Sequence, residues 1–195
     1  MVKYKELSHE RFLNCIDILC DNLSKYLNEN NLKVDYVMPI VRSGAVPAVY
    51  ISNKLNIVKF APIQVKHITY NDGREEIEAI FNPLTSLDIT KEKPVFLIVD
   101  ALQSTGKSAH IAIEEIRKVY KEAIILYVCI TKRYLSDDFK GVIDYFDYVF
   151  QYNEEQLDED KCNELGIDYY APAFSWEKID ELISHPDDLE DNIFF

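Results

Sequence analysis

The stretch "FLIVDALQSTGKSAH", Phe96 to His110, decides how this chain folds. The apolar run opens at Pro94 and stops on Asp100, "PVFLIVD", with no polar residue inside it. Such a run is expected of a strand covered on both faces in a parallel sheet. "ALQSTGKS" follows as a loop, and Ser108 to Lys121 reads as a helix with Ile111, Ile116, Val119 and Tyr120 as core contacts. Strand, loop and helix in this order bring unpaired N–H groups and the positive end of a helix dipole to the carboxyl end of a strand. Gly106 lets the backbone approach a ligand closely, and Thr105 and Ser108 add hydroxyl donors. The arrangement suits a phosphate monoester. The plainer alternative is a helix start that binds nothing.

The units on either side repeat the alternation. Ser8 to Asn30 carries Phe12, Ile16, Leu19, Leu23 and Tyr26 at three- and four-residue spacing, the apolar stripe of a helix. Val34 to Val41 reads as a strand, "RSGAVP" as a turn, and Ala45 to Leu55 as a helix with Pro47 in its first turn. Ile57 to Tyr70 holds strand, "YNDGREE" has the chemistry of a turn or mobile loop, and "IEAIFNPL" reads as a returning strand. "TSLDITKEKP" is a connection, Ala123 to Thr131 a second buried strand, Tyr145 to Tyr152 a short strand and Ser175 to Ser184 a last helix. Strands alternating with helices predict an α/β fold with a mainly parallel central sheet flanked by helices.

Composition bounds the function. The 195 residues suit one domain, 1–195, and 48% hydrophobic with 28% charged residues is the balance of an ordinary globular protein. No signal peptide or membrane-spanning run is visible, which sets a cytoplasmic expectation. The four cysteines, Cys15, Cys20, Cys129 and Cys162, form no zinc pattern and read as buried free thiols. A net charge of -13 without a dense Lys/Arg run argues against nucleic acid as a partner, and nothing points to a membrane. An anion site is then a local affair of backbone N–H groups, a few cations and Mg²⁺.

Two phosphate readings compete at the loop. A nucleotide hydrolase of the phosphate-loop type wants Lys107 on the β- and γ-phosphates and Ser108 on Mg²⁺. It also wants a later strand ending in Asp, whereas "AIILYVCIT" runs into Lys132 and Arg133. The other reading uses Asp100, whose carboxylate can accept hydrogen bonds from two ribose hydroxyls while the turn holds the 5'-phosphate of the same sugar. Here "FLIVDALQSTGKS" resembles the type I phosphoribosyltransferases, whose signature is four apolar residues, two acids, a short spacer and Thr-Gly-x-Thr/Ser.

The resemblance extends from the first helix to Trp176. "PIVRSGAVPA" matches the family's pyrophosphate loop, which implies that Arg42, Ser43 and Gly44 bind pyrophosphate, with a non-proline cis peptide near Arg42–Ser43. Physically, Arg42 offers a fork of donors to pyrophosphate oxygens. "HITYNDGREE" resembles the start of a lid over the reacting centre, with Tyr70 at its edge. Asp100, Arg42 and Tyr70 would be the catalytic residues, and Ser104, Thr105, Gly106, Lys107 and Ser108 the 5'-phosphate site. In purine-type members a lysine at a strand end meets an exocyclic oxygen of the base, a place that falls to Lys132. "YYAPAFSWEK" is similar to the base-stacking segment, which offers Tyr169, Tyr170 and Trp176, although a lone tryptophan serves a core equally well.

The resemblance implies transfer of ribose 5-phosphate from phosphoribosyl pyrophosphate to a purine-like base, with release of pyrophosphate. It implies Mg²⁺ as cofactor, held indirectly by Asp100 through ribose or water. It further implies a homo-oligomer, a dimer, and a small hood built from about 1–30 and 150–195. Two positions depart from the pattern. Ala101 stands where the family carries its second acid, and Ser104 where purine-type members often carry an acid before Thr-Gly. A catalytically weak relative that senses phosphoribosyl pyrophosphate or a nucleotide is therefore a second expectation, and the nucleotide hydrolase a third.

Overall fold

A computed structural model describes residues 3–70, 75–103, 106–134, 148–151, 155–157, 170–174 and 176. Strand β1 (Lys3–Leu7) leads into helix α1 (His9–Glu29), which Ser8 caps by accepting the Arg11 backbone N–H at 3.2 Å. Then come β2 (Tyr36–Val41), α2 (Ala45–Lys54), and a hairpin of β3 (Ile63–Thr69) and β4 (Glu75–Phe81). After a single 3-10 turn at Leu84–Ser86, β5 (Val95–Gln103), α3 (Lys107–Val119) and β6 (Ile124–Tyr134) form the second half. Short strands β7 (Tyr148–Gln151), β8 (Glu155–Leu157) and β9 (Tyr170–Phe174) follow.

The central sheet runs β4-β3-β2-β5-β6-β7, with β8 also paired to β6. Every pairing in it is parallel except β3 with β4. Alternation along the strands divides the core. Val95, Leu97 and Val99 of β5 face α1 and α2, together with Val37, Leu126 and Val128. Phe96 and Ile98 face α3, with Met38, Ile40, Ile125 and Tyr127. This two-sided burial is why the β5 segment carries no polar alternation.

The order of strands locates the crevice. From β2 the chain crosses through α2 to β3 on one side, and from β5 it crosses through α3 to β6 on the other. Two adjacent parallel strands whose crossovers diverge open a cleft at their carboxyl ends. The ends in question carry Arg42-Ser43-Gly44 and Asp100.

Several expectations are adjusted. Strand β5 runs three residues past Asp100, and β6 continues through Lys132 and Arg133 to Tyr134 instead of ending at Thr131. β1 and β9 form a separate two-stranded parallel sheet, Leu7 opposite Phe174. The two segments are far apart in sequence, so no local pattern announces them. Helix α1 packs on the central sheet through Phe12, Cys15, Ile16 and Leu19. The expected helix over 175–184 lies outside the described residues, Trp176 excepted. Cys15, Cys20 and Cys129 are buried free thiols, as expected.

Candidate active site

The loop after β2 is built around Gly44. Its N–H donates to the Ile40 carbonyl at 2.9 Å, and Ala45 N–H donates to Arg42 O at 3.0 Å, which closes a tight turn into α2. A Cβ added at Gly44 would lie 2.2 Å from the Val99 carbonyl oxygen and 2.9 Å from that of Ile40. Only glycine lets the loop lie flat against the end of β5. The cis peptide falls at Val41–Arg42, one bond earlier than expected. Arg42 is exposed at the tip of the turn, and Ser43 is half-buried behind it.

Asp100 is 6% exposed, deep at the end of β5. Ser43 Oγ donates to Asp100 Oδ1 at 2.9 Å, and the Ala101 N–H donates to the same oxygen at 2.8 Å. Burial pushes the Asp100 carboxyl up to about 6, while the bonds from Ser43 and from the backbone N–H groups of Ala101 and Leu102 pull it down. The acid thus has an environment unlike any other carboxylate in the described residues. Two adjacent N–H groups reach it because the strand alternation slips here. Ala101 and Leu102 both pack on the α1 side, and Gln103 returns to meet Cys129, whose Sγ donates to Gln103 Oε1 at 3.7 Å.

Gly106, at the end of the segment expected to hold phosphate, has φ 72° and ψ -2° and caps the start of α3. A positive φ there favours glycine. Lys107 is the first residue of α3 and Ser108 the second, so both stand at the positive end of the helix dipole. Ser104 and Thr105 lie outside the described residues, as does Tyr169. Lys132 is the Cα partner of Gln103, which sets it on the strand beside the loop. Tyr70 follows directly on β3, two strands from β5, and its hydroxyl donates to Glu76 Oε2 across the hairpin at 3.0 Å. Tyr170 begins β9, opposite Lys3.

Trp176 takes part in an aromatic cluster on the α1 side. It stacks on Phe174 at 4.8 Å between centroids, and Phe12 meets it edge-on at 5.0 Å. Tyr50 of α2 packs edge-on against Phe12 at 5.2 Å.

The structure therefore brings the Arg42-Ser43-Gly44 loop, Asp100, the Gly106 helix start and the Lys132 strand to one edge of the sheet. It leaves Tyr70 at the hairpin. The sequence did not announce the buried contact between Gln103 and Cys129 at the end of β5. A glutamine in an otherwise apolar strand end was the available signal.

A family model for the phosphoribosyl transferase domain matches residues 11–159. The chain belongs to the type I phosphoribosyltransferases. Solved structures agree on the fold. A purine phosphoribosyltransferase from Pyrococcus horikoshii is similar with a TM-score of 0.61 at 22% identity, covering 91% of this chain and 96% of that one. A xanthine-guanine-hypoxanthine phosphoribosyltransferase from Helicobacter pylori gives 0.60 at 16% identity, covering 93% and 99%. A hypothetical protein from Neisseria gonorrhoeae with bound ppGpp gives 0.67 at 13% identity, covering 99% of each. No curated protein matches by sequence. Within this phosphoribosyltransferase, Ala101 is fully buried among apolar side chains on the α1 side. Its position is core, where an acid would be packed among apolar side chains.

Proposed function

We propose that the protein transfers ribose 5-phosphate from phosphoribosyl pyrophosphate to a purine-like base and releases pyrophosphate. The observation that carries the reading is the 2.9 Å bond from Ser43 to Asp100, because it joins a pyrophosphate-type loop to a ribose-type acid across the switch between β2 and β5. In this reading Arg42 and the loop N–H groups hold the pyrophosphate and stabilise its charge as it leaves. Asp100 accepts the ribose hydroxyls and so aligns the anomeric carbon with the incoming base. Ser104 to Ser108, with the α3 start, hold the 5'-phosphate. Lys132 meets an exocyclic oxygen of the base, Tyr170 and its neighbour Tyr169 offer stacking faces, and Tyr70 belongs to a lid that keeps water from an oxocarbenium-like transition state. Trp176 supports the base side through its packing.

Mg²⁺ fits this donor set in one way. Among the described residues no group of three metal-ligating side chains exists, but Mg²⁺ commonly keeps several waters and takes one or two carboxylates plus substrate phosphates. Asp100 would hold it indirectly, through ribose hydroxyls or water. When bound, the ion would neutralise pyrophosphate charge. Among the described residues no helix is long and apolar enough to cross a membrane. We read the protein as a cytoplasmic homodimer acting on small molecules.

A second reading is a catalytically weak relative that senses a guanine nucleotide. The buried Ala101 favours it, and so does likeness over 99% of each chain to a protein solved with ppGpp. The nucleotide-hydrolase expectation has no support among the matches.

Thermal unfolding with Mg²⁺ and a single added ligand tests these readings. A ligand at about 100 times its dissociation constant adds about 2.7 kcal/mol, roughly 5–10 °C for a chain of this size. A shift with phosphoribosyl pyrophosphate, followed by pyrophosphate release on addition of a purine base, is expected. A shift with ppGpp or GMP and no release with any base would select the sensing role. A shift with ATP alone would refute both.

A further inference from the structure

We infer that Ser43 is a positioning residue that acts through Asp100, holding the acid where it meets the ribose and coupling the ribose contact to the pyrophosphate loop. The inference rests on the site reading above and deepens it. Ser43 and Asp100 stand on different crossover units, 57 residues apart in sequence, yet Oγ donates to Oδ1 at 2.9 Å. The Ala101 N–H adds a second donor to Oδ1 at 2.8 Å. A carboxylate oxygen accepts about two hydrogen bonds. Oδ1 is therefore filled by the protein itself, which restricts how the carboxylate can meet a ligand hydroxyl. With the backbone on one side and Ser43 on the other, the carboxylate plane is fixed before a ligand arrives.

The hydroxyl is not what holds the loop in place. Gly44 is bonded to Ile40 and lies against the Val99 carbonyl, and Ala45 is bonded to Arg42. Removing the Ser43 hydroxyl therefore leaves the loop backbone anchored while it takes away the one side-chain donor given to Asp100 among the described residues. A residue that served only to shape the loop would act without regard to Asp100.

A double-mutant cycle reads this difference. Titration calorimetry with Mg²⁺ compares wild type, Ser43→Ala, Asp100→Ala and the double variant against phosphoribosyl pyrophosphate. Loss of a hydrogen bond to a charged group predicts about 10-fold weaker binding of phosphoribosyl pyrophosphate for Ser43→Ala. In the Asp100→Ala background the same change is expected to cost less than about 2-fold. Ser43→Thr, which keeps the hydroxyl, should bind phosphoribosyl pyrophosphate within about 3-fold of wild type. Melting temperatures confirm that each variant is folded. Equal cost in both backgrounds would overturn the inference and leave the site reading intact. Failure of the wild type to bind phosphoribosyl pyrophosphate would refute the site reading and the inference with it.

Discussion

Replacing Gly44 by alanine adds one methyl group where there is no room for it. The residue has φ -70° and ψ -9°, a conformation any amino acid adopts, so backbone strain plays no part. The added Cβ would stand 2.2 Å from the Val99 carbonyl oxygen, against 3.4 Å or more for ordinary contact. The neighbour is backbone in the middle of a paired strand and cannot swing aside. The loop must retreat by about 1 Å, which also stretches the 2.9 Å bond from Ser43 to Asp100 beyond useful length. Overpacking of this kind costs about 1–3 kcal/mol, or roughly 2–12 °C in Tm for a chain of this size. A displacement of about 1 Å in a positioning loop can cost roughly 100-fold in rate. Differential scanning fluorimetry and phosphoribosyl pyrophosphate titration on Gly44→Ala would check both. A variant with wild-type Tm and wild-type affinity would refute the argument that close approach to β5 shapes this loop.

Other outcomes follow from the same coordinates. Asp100 has its carboxyl raised to about 6 in the fold, against an ordinary 3.8, so the native state binds this proton more tightly than the unfolded chain. Its contribution to ligand-free stability is full below about pH 4, is lost as pH rises towards 6, and amounts to at most about 3 kcal/mol. Comparing Tm at pH 5 and 7.5 should show a steeper fall for wild type than for Asp100→Asn, and parallel curves would contradict the buried carboxylate. Phe12 is fully buried and touches both Tyr50 and Trp176, so Phe12→Ala should cost about 3–5 kcal/mol. It should also shift the emission of the single tryptophan to longer wavelength; unchanged emission would mean Trp176 packs elsewhere. Ala101→Asp would bury a carboxylate among apolar side chains at about 3–5 kcal/mol, so a lower Tm with no gain in transfer is expected. A stable variant with faster pyrophosphate release would show that the missing acid limits catalysis.

Much of the site was legible because its signals are local. The apolar run ending on Asp100, the glycine before the α3 helix and the Arg-Ser-Gly turn before Pro47 each announce a strand end or helix start within a few residues. Boundaries were less legible. "ALQ" reads as loop, yet it extends β5 because its backbone finds partners in Thr131 and Lys132 of β6. Trp176 carried two readings in the sequence, and its contact with Phe12 was not legible there because the two lie far apart along the chain.

By itself the sequence determined the alternation of strand and helix, the double burial of β5 and the pieces of a candidate site. These depend on periodicity and turn chemistry, which act over a few residues. Tertiary structure alone decided that β1 lies beside β9, that Ala101 is core, and that Ser43 bonds to Asp100. Each is a contact between segments distant along the chain. Such contacts are fixed by which strands pair and which face each residue takes, and no local propensity encodes that choice.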